Sequence, residues 1–181
     1  RGDAPRATFE TEGQAVKSLL EIYEVATGRV TGVLRHDSTP DARIEAPNWD
    51  PQGGALLVNG EGRLFRVPLD APALVAVDSG FATKCNNDHG ISPDKKWLAI
   101  SHNDKKDPST KPYKSAIYVL PITGGTPRRI TSEVMSFWHG WTPDGRTLAY
   151  CAERNGNYDV YTIGIEGGAE KRLTTSEGLD D

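Results

Sequence analysis

Cysteine, methionine and long apolar runs are scarce in this chain of 181 residues, which contains two Cys and one Met. The two thiols, Cys85 and Cys151, could form a disulfide bond with each other, but we expect both to be small buried core residues instead. Apolar runs are broken every four to six residues by charged residues, Gly or Pro. The sequence therefore predicts no membrane-spanning segment.

An excess of positive charge is also lacking. The net charge is −4, from 21 Lys and Arg against 25 Asp and Glu, and the basic residues are not clustered. No nucleic-acid partner is therefore expected. The sequence has no Gly-x-Ser-x-Gly elbow, no Gly-rich phosphate loop and no paired-cysteine zinc motif, so the usual signatures of hydrolases, nucleotide-binding enzymes and zinc modules are missing.

What the chain does have is repetition. Residues 89–94 (His-Gly-Ile-Ser-Pro-Asp) and 139–144 (His-Gly-Trp-Thr-Pro-Asp) are nearly the same, and a degenerate copy lies at 47–52. In each copy the Pro-Asp or Pro-Gln pair is followed by a polar turn and a short apolar run. Because proline fixes the first central dihedral angle of a tight turn, each copy predicts a strand, a turn and a second strand.

The repeat continues beyond the turn. Tyr118 and Tyr161 lie 43 residues apart on alternating aromatic segments, and Pro51 and Pro93 lie 42 residues apart. A period of roughly 40–45 residues with four short strands per unit is typical of a β-propeller blade. We therefore predict an all-β chain built from four-stranded antiparallel blades.

The strand pattern predicts about 3.5 blades. We expect a flexible extension over residues 1–15, half a blade over 16–37 and the start of a further blade over 176–181. Complete blades are predicted at 41–80, 81–132 and 133–175. The open blade edges would leave apolar surface in water, so we expect the remaining blades or another chain to cover them.

Several of these segments resemble the propeller repeat of the TolB family, which also occurs in prolyl-oligopeptidase-like peptidases and in tricorn protease. The similar segments are 92–100 (Ser-Pro-Asp-Lys-Lys-Trp-Leu-Ala-Ile), 117–119 (Ile-Tyr-Val), 124–125 (Gly-Gly) and 129–131 (Arg-Ile-Thr). The third blade repeats the pattern, and the resemblance covers about residues 41–176.

Bacterial TolB-like propellers of unassigned activity resemble the chain further. They carry the strings Asn-Asn-Asp-His-Gly and Trp-His-Gly-Trp, which stand here at 86–90 and 138–141. The resemblance implies a six-bladed ring, of which this chain would be a part. TolB itself implies a periplasmic role in binding partner proteins, but the separate N-terminal domain of TolB is not recognisable here. The compartment, periplasm or cytoplasm, stays open.

Polar and aromatic residues precede both repeated histidines. The first strand of each blade lines the channel of a propeller, so we expect His89 and His139 at the same height on adjacent inner strands. The residues predicted to converge at the channel mouth are Asn86, Asn87, Asp88, His89, Trp138, His139, Asp180 and Asp181. Polar groups that converge in a concave, partly apolar place predict a ligand site.

Three interpretations of this group remain open. The histidines and tryptophans could be structural contacts between blades. They could instead bind a small polar ligand such as a sugar, or a protein segment, with Trp138 as a stacking platform, and this is the interpretation we favour. As a third alternative, His89 and His139 could hold a divalent metal or act as acid and base, as in the oligogalacturonate lyases, which resemble the chain in fold. Two histidines without a third ligand are a weak metal pattern, so no cofactor is predicted and catalysis is left open.

The second complete blade contains an insertion. The polar stretch Asn103–Lys114 lengthens the spacing between Pro93 and Pro143 to 50 residues. Its four lysines predict a solvated hairpin tip, and the sequence leaves any role in partner binding open.

Overall fold

The computed structural model describes residues 4–12, 15–39 and 42–178, which form fifteen β-strands and no α-helix. The strands are β1 (Ala4–Glu12), β2 (Ala15–Glu24), β3 (Arg29–Ser38), β4 (Glu45–Trp49), β5 (Ala55–Gly60), β6 (Arg63–Pro68), β7 (Val75–Ala76), β8 (Cys85–Ile91), β9 (Trp97–Asn103), β10 (Ser115–Pro121), β11 (Arg128–Arg129), β12 (Ser136–Trp141), β13 (Thr147–Arg154), β14 (Asn157–Gly164) and β15 (Lys171–Arg172). The prediction of an all-β chain is confirmed. No helix that could cross a membrane occurs among the described residues.

The chain forms two compact units, Arg1–Val77 and Asp78–Asp181. The first unit contains a three-stranded sheet, in the order β1-β2-β3, and a four-stranded sheet, in the order β4-β5-β6-β7. The core between these strands consists of fully buried aliphatic side chains, of which Leu20 comes from β2 and Leu56 and Val58 come from β5. The backbone N–H of Ile44 donates to the buried hydroxyl of Ser18 at 3.2 Å and ties the two sheets together.

Strand β1 differs from the flexible extension that the sequence predicts over residues 1–15. It pairs antiparallel with β2 along its whole length, with Ala4 opposite Tyr23 and Glu12 opposite Ala15. The segment is polar and contains Pro5, which a strand tolerates at the edge of a sheet. The segment forms a strand because its backbone groups pair with those of β2. Such pairing requires no periodic pattern of apolar residues, so the sequence does not reveal it.

The second unit contains two four-stranded sheets, β8-β9-β10-β11 and β12-β13-β14-β15. Their strands lie within 85–129 and 136–172, inside the segments predicted as the second and third complete blades. Every neighbouring pair of strands is antiparallel. Strand β12 contacts both β8 and β9, so the second sheet packs beside the first strand of the sheet before it.

The two Pro-Asp turns of this unit are built alike. The carboxylate of Asp94 accepts a hydrogen bond from the hydroxyl of Ser92, and that of Asp144 accepts one from Thr142, each at 2.6 Å. These bonds lower the pKa of both carboxyl groups. The Ser92 oxygen also accepts the backbone N–H of Trp97 at 3.0 Å, so this serine holds the turn together.

The two faces of the last sheet differ. On one face, Leu148, Tyr150 and Ala152 of β13 are buried in a core that they share with Ala99 and Ile117 of the sheet before it. On the opposite face, alternate residues of β14 and of the first half of β13 stay half-buried, whereas the later residues of β13 on that face are buried. By contrast, every residue of β10 from Ser115 to Leu120 is buried. The last sheet therefore has one packed face and one face that is only partly covered.

Both cysteines are buried, and neither forms a disulfide bond. Cys85 lies at the start of β8, where burial raises the pKa of its thiol to about 12. The thiol is therefore protonated at neutral pH and behaves as an apolar core group. This agrees with the expectation from the sequence.

A buried arginine ties together the end of β13 and the loop before β15. Arg154 donates Nε and one Nη2 hydrogen bond to the two carboxylate oxygens of Glu170, at 2.9 and 2.7 Å. The other three N–H groups donate to the carbonyls of Val134 and Glu153 and to the hydroxyl of Ser136. All five donors of this guanidinium are therefore used, as a buried charge requires.

The Arg154–Glu170 pair gives the stability of the chain a dependence on pH. Burial is the largest single effect and raises the pKa of the Glu170 carboxyl, but the hydrogen bonds and the charge of its neighbours, Arg154 foremost, together outweigh it, and the net pKa lies below the ordinary value of 4.5. The stabilisation is therefore complete above that value and is lost as the pH falls through the lowered pKa. We expect urea unfolding between about pH 5 and pH 3 to show a smaller loss of stability in Glu170→Gln than in the natural chain. An equal loss in both proteins would contradict this assignment.

Candidate functional site

A cleft of about 310 Å³ opens in the second unit, at the end of the sheets where β8, β12 and β14 begin. Its lining combines amide, carboxylate, imidazole and aromatic groups. The lining residues are Asn86, Asn87, Asp88, Phe137, His139, Cys151 and Tyr158. Four of the eight residues predicted for a ligand site therefore lie together on this surface.

A bulge in β8 brings the first three of these residues to the cleft. Cys85 is opposite His102 and His89 is opposite Ile100, so residues 86–88 face a single residue of β9. Within the bulge, the side-chain carbonyl of Asn86 accepts the backbone N–H of Asp88 at 3.0 Å, and its amide donates to the Asp88 carboxylate. A bulge re-aims side chains away from the regular alternation of a strand, which explains why three consecutive polar residues line the cleft.

A second, shorter bulge lies in β12. Trp138 is opposite Tyr150 and Gly140 is opposite Ala149, so His139 is the additional residue between two regular pairs. The side chain of His139 is exposed and lines the cleft. Bulges in the first strands of both sheets thus supply the polar part of the site.

The two histidines do not occupy equivalent positions, in contrast to the expectation from the sequence. His89 is a regular member of the β8–β9 ladder and is 3% exposed. Its partner Ile100 corresponds in the repeat to Tyr150, which is the partner of Trp138. When the strands are aligned by cross-strand partner, His89 therefore corresponds to Trp138. The offset arises because the bulge of β8 comes before this position, whereas the bulge of β12 comes after it.

Trp138, predicted as a stacking platform, lies in the core instead. It is 8% exposed, and its backbone N–H donates to the hydroxyl of Ser101 at 2.8 Å. The edge of its indole covers Gly90 so closely that a Cβ atom there would lie 2.1 Å from Cη2 of the ring. The indole of Trp141 donates to the carbonyl of Gly90 at 3.2 Å. Both tryptophans therefore pack on the strand that carries His89.

Three residues of the cleft are not among those predicted for the site, namely Phe137, Cys151 and Tyr158. Cys151 is the partner of Phe137 in the β12–β13 ladder, and Tyr158 enters from the start of β14. Burial and the charge of Glu153 raise the pKa of the Tyr158 phenol. Tyr158 is therefore a hydroxyl donor at neutral pH. Asp180 and Asp181, also predicted for the site, lie outside the described residues.

The described residues fit a metal poorly. Nowhere in 4–12, 15–39 and 42–178 do three His, Cys, Asp or Glu side chains gather closely enough to hold an ion. The two histidines suggested as metal ligands are in different surroundings, since His89 is buried and His139 is exposed. This arrangement does not match the three or four convergent ligands of a typical protein site for zinc.

No protein-family model matches the chain. An uncharacterized protein of Agrobacterium fabrum is 48% identical over 170 residues, which cover 93% of this chain and 55% of that protein. The solved structure of an Agrobacterium tumefaciens protein provisionally named TolB is 44% identical, with a TM-score of 0.79 over 98% of this chain and 57% of that one. The chain is a TolB-like β-propeller. It spans about half the length of these relatives.

More distant structures share the fold of this TolB-like chain. TolB from Acinetobacter baumannii is 17% identical, with a TM-score of 0.64 over 89% of this chain and 41% of that protein. An oligogalacturonate lyase in complex with manganese is 14% identical, with a TM-score of 0.65 over 90% and 50%. At such low identity the likeness is one of fold, and it adds no support to a lyase activity.

Proposed function

We propose that this TolB-like propeller binds a small, hydroxyl-rich ligand such as a sugar in the cleft of the second unit. The observation that carries the proposal is the pair of bulges, which bring Asn86, Asn87, Asp88 and His139 together beside two aromatic side chains. Amide and carboxylate groups hold hydroxyls in fixed directions through hydrogen bonds. The aromatic side chains of Phe137 and Tyr158 offer apolar surface to the carbon-bound hydrogens of a sugar ring.

The size of the cleft favours a small ligand. Pockets for small molecules have volumes of roughly 300–1,000 Å³, so about 310 Å³ stands at the lower end. A folded protein surface does not fit into this volume, although a single side chain of an extended peptide does. The volume of the cleft thus favours a small ligand over a protein segment as the occupant of the site.

The interpretation that the predicted residues are structural contacts between blades applies to His89 and Trp138. His89 and Trp138 are buried, and Trp138 packs against Gly90. We therefore assign these two residues to packing and keep the exposed bulge residues for binding. The enzyme alternative gains no support from the geometry, because the two histidines differ in position and in burial.

Titration calorimetry with D-glucose, D-galactose, D-glucosamine, D-glucuronate and a short Gly-Ser peptide would test the proposal. We expect at least one sugar to bind, and Asn87→Ala and His139→Ala each to weaken its affinity by about 5- to 30-fold, the effect of losing one hydrogen bond. His36→Ala, in the first unit, is the matched control and should bind as the natural chain does. Binding of the peptide alone would favour a protein segment. Binding of none of these probes, or variants with unchanged affinity, would contradict the proposal.

The half-exposed face of the last sheet supports the expectation that further blades or another chain cover the open blade edges. We propose that a further sheet, from a longer form of the chain or from another chain, packs on the part of this face that lies beyond the cleft, because Cys151 and Tyr158 of the cleft belong to the same face. Ala149, Val160 and Thr162 supply small and apolar side chains there, as on the buried faces of the inner strands. Covering such a face would gain roughly 25 cal/mol for each Å² of apolar surface.

A further inference from the structure

The loop between β9 and β10, residues 104–114, is fastened to its surroundings at two points. The carboxylate of Asp107 accepts a hydrogen bond at 3.2 Å from Arg129, the last residue of β11. The ammonium group of Lys111 forms an ion pair with Glu153, at the end of β13 in the following sheet. The tip of the loop is largely exposed, but these two contacts anchor the loop, which reaches across from one sheet to the next.

Glu153 connects this loop to the ligand cleft. It is 8% exposed and lies opposite Tyr158 in the β13–β14 ladder. Directly opposed residues of an antiparallel pair share a face and have Cβ atoms about 4.5–5.5 Å apart. Glu153 also accepts the backbone N–H of Gly156 at 2.7 Å, which fixes the turn that leads into Tyr158.

The electrostatics of Tyr158 agree with this arrangement. Burial raises the pKa of its phenol most, the charge of Glu153 raises it further, and the charge of Lys111 lowers it. The hydrogen bond from Lys111 is in turn the main cause of the lowered pKa of Glu153. The loop residue Lys111 thus acts on the phenol that lines the cleft, both by its own charge and through Glu153.

No residue of the loop belongs to the lining of the cleft itself. We propose that the β9–β10 loop is an outer wall behind Tyr158, and that the Lys111–Glu153 ion pair holds this wall against the Tyr158 side of the cleft. The wall's role in binding rests on the proposed function, whereas its position does not. Lys111 and Glu153 are positioning residues, because they act on the ligand through Tyr158. A glutamate that is nearly buried loses solvation, so its ion pair holds the loop more firmly than an exposed pair would.

Acetylation of tyrosines with N-acetylimidazole, followed by mass spectrometry, tests the position of the wall. Lys111→Met should make Tyr158 react at least about fivefold faster, because the loop then opens more often. Lys106→Met, in the same loop at an exposed position, should leave the rate unchanged. Tyr23, in the first unit, is 37% exposed and serves as an internal standard. An unchanged rate for Tyr158 in Lys111→Met would overturn the proposal.

A double-mutant cycle distinguishes the loss of the Lys111–Glu153 ion pair from a nonspecific increase in the mobility of the loop. Glu153→Gln keeps an acceptor for the Gly156 N–H but removes the charge, so it should raise the reactivity of Tyr158 in the same way as Lys111→Met. The double variant should react no faster than the faster of the single variants, because both remove one interaction. Fully additive effects would show that the two side chains act separately and would also overturn the proposal.

Sugar binding then tests the role of the wall at the site. If a sugar of the panel binds the natural chain, Lys111→Met should weaken it by about 5-fold or more, and Lys106→Met should not. A sugar that binds both variants equally well would show that the loop lies beside the cleft but takes no part in recognition. If no sugar binds any variant while Tyr158 still becomes more reactive, the proposed function fails and the position of the wall stands.

Discussion

Replacing Arg154 by methionine is expected to lower the free energy of unfolding by about 3–5 kcal/mol, the usual cost of removing one partner of a buried ion pair. The loss has three sources. The carboxylate of Glu170, which is 17% exposed, would keep its charge without its partner. The carbonyls of Val134 and Glu153 would lose a donor, and the contact of the guanidinium with the ring of Tyr161, 5.6 Å from its centroid, would disappear.

Urea unfolding followed by tryptophan fluorescence would measure this loss. Since small domains are stable by only about 5–15 kcal/mol, much of the chain should be unfolded at low urea concentration. Arg128→Met is the matched control, because Arg128 is 43% exposed and pairs with Glu166, which is 82% exposed. Its effect should stay within about 1 kcal/mol.

A second variant keeps the argument testable if Arg154→Met does not fold. Glu170→Leu combined with Arg154→Met removes both charges, so it should recover part of the lost stability. Equal losses in Arg154→Met and Arg128→Met, or a double variant less stable than Arg154→Met, would show that the buried pair does not stabilise the unit.

Gly90→Ala is expected to destabilise the second unit by about 1–3 kcal/mol or more, because the site is already filled. The new methyl group would lie 2.1 Å from Cη2 and 2.7 Å from Cζ3 of Trp138. The indole is 8% exposed and contacts Trp141 edge to face, with centroids 6.4 Å apart, so it cannot move away without disturbing the core.

Gly140 is a control supplied by the repeat itself. It follows His139 as Gly90 follows His89, yet a Cβ atom at Gly140 would meet no atom within 4 Å. Neither glycine has a positive φ, so backbone strain does not distinguish them. In the 181-residue chain Gly140→Ala should therefore change the stability by less than about 0.5 kcal/mol.

Urea titrations of the two glycine variants, side by side, provide the measurement. The Gly90→Ala variant should also show altered tryptophan fluorescence in its native state. Adding Trp138→Phe to Gly90→Ala should make the alanine less costly, because the smaller ring leaves space for the methyl group. Similar losses in Gly90→Ala and Gly140→Ala would mean that the contact with Trp138 is not what requires glycine.

The sequence predicts the fold well because turns and apolar strands are local features. The Pro-Asp turns at 93–94 and 143–144 form as expected, and each lies between two strands of one sheet. Strand β1 escapes prediction, because its pairing with β2 depends on backbone groups that are the same in every residue. The position of a polar edge strand is decided by its neighbour rather than by its own residues.

The site is predicted only in part. Asn86, Asn87 and Asp88 stand out as polar residues at the start of a strand, and the cleft contains all three. Tyr158 does not stand out, because a tyrosine in an alternating strand is ordinary and its place at the cleft comes from the β13–β14 ladder. The contact of Lys111 with Glu153 joins residues 42 positions apart in different sheets, and no spacing rule indicates it.

The offset between the two histidines has a practical consequence for anyone who builds artificial propellers from averaged repeats. An alignment that follows the letters puts both imidazoles in one column, although one is enclosed and the other meets solvent. A designed repeat made from that column would give every copy a compromise residue suited to neither task. Aligning by cross-strand partner, with His89 matched to Trp138, would keep the packing residue and the solvent-facing residue in separate columns.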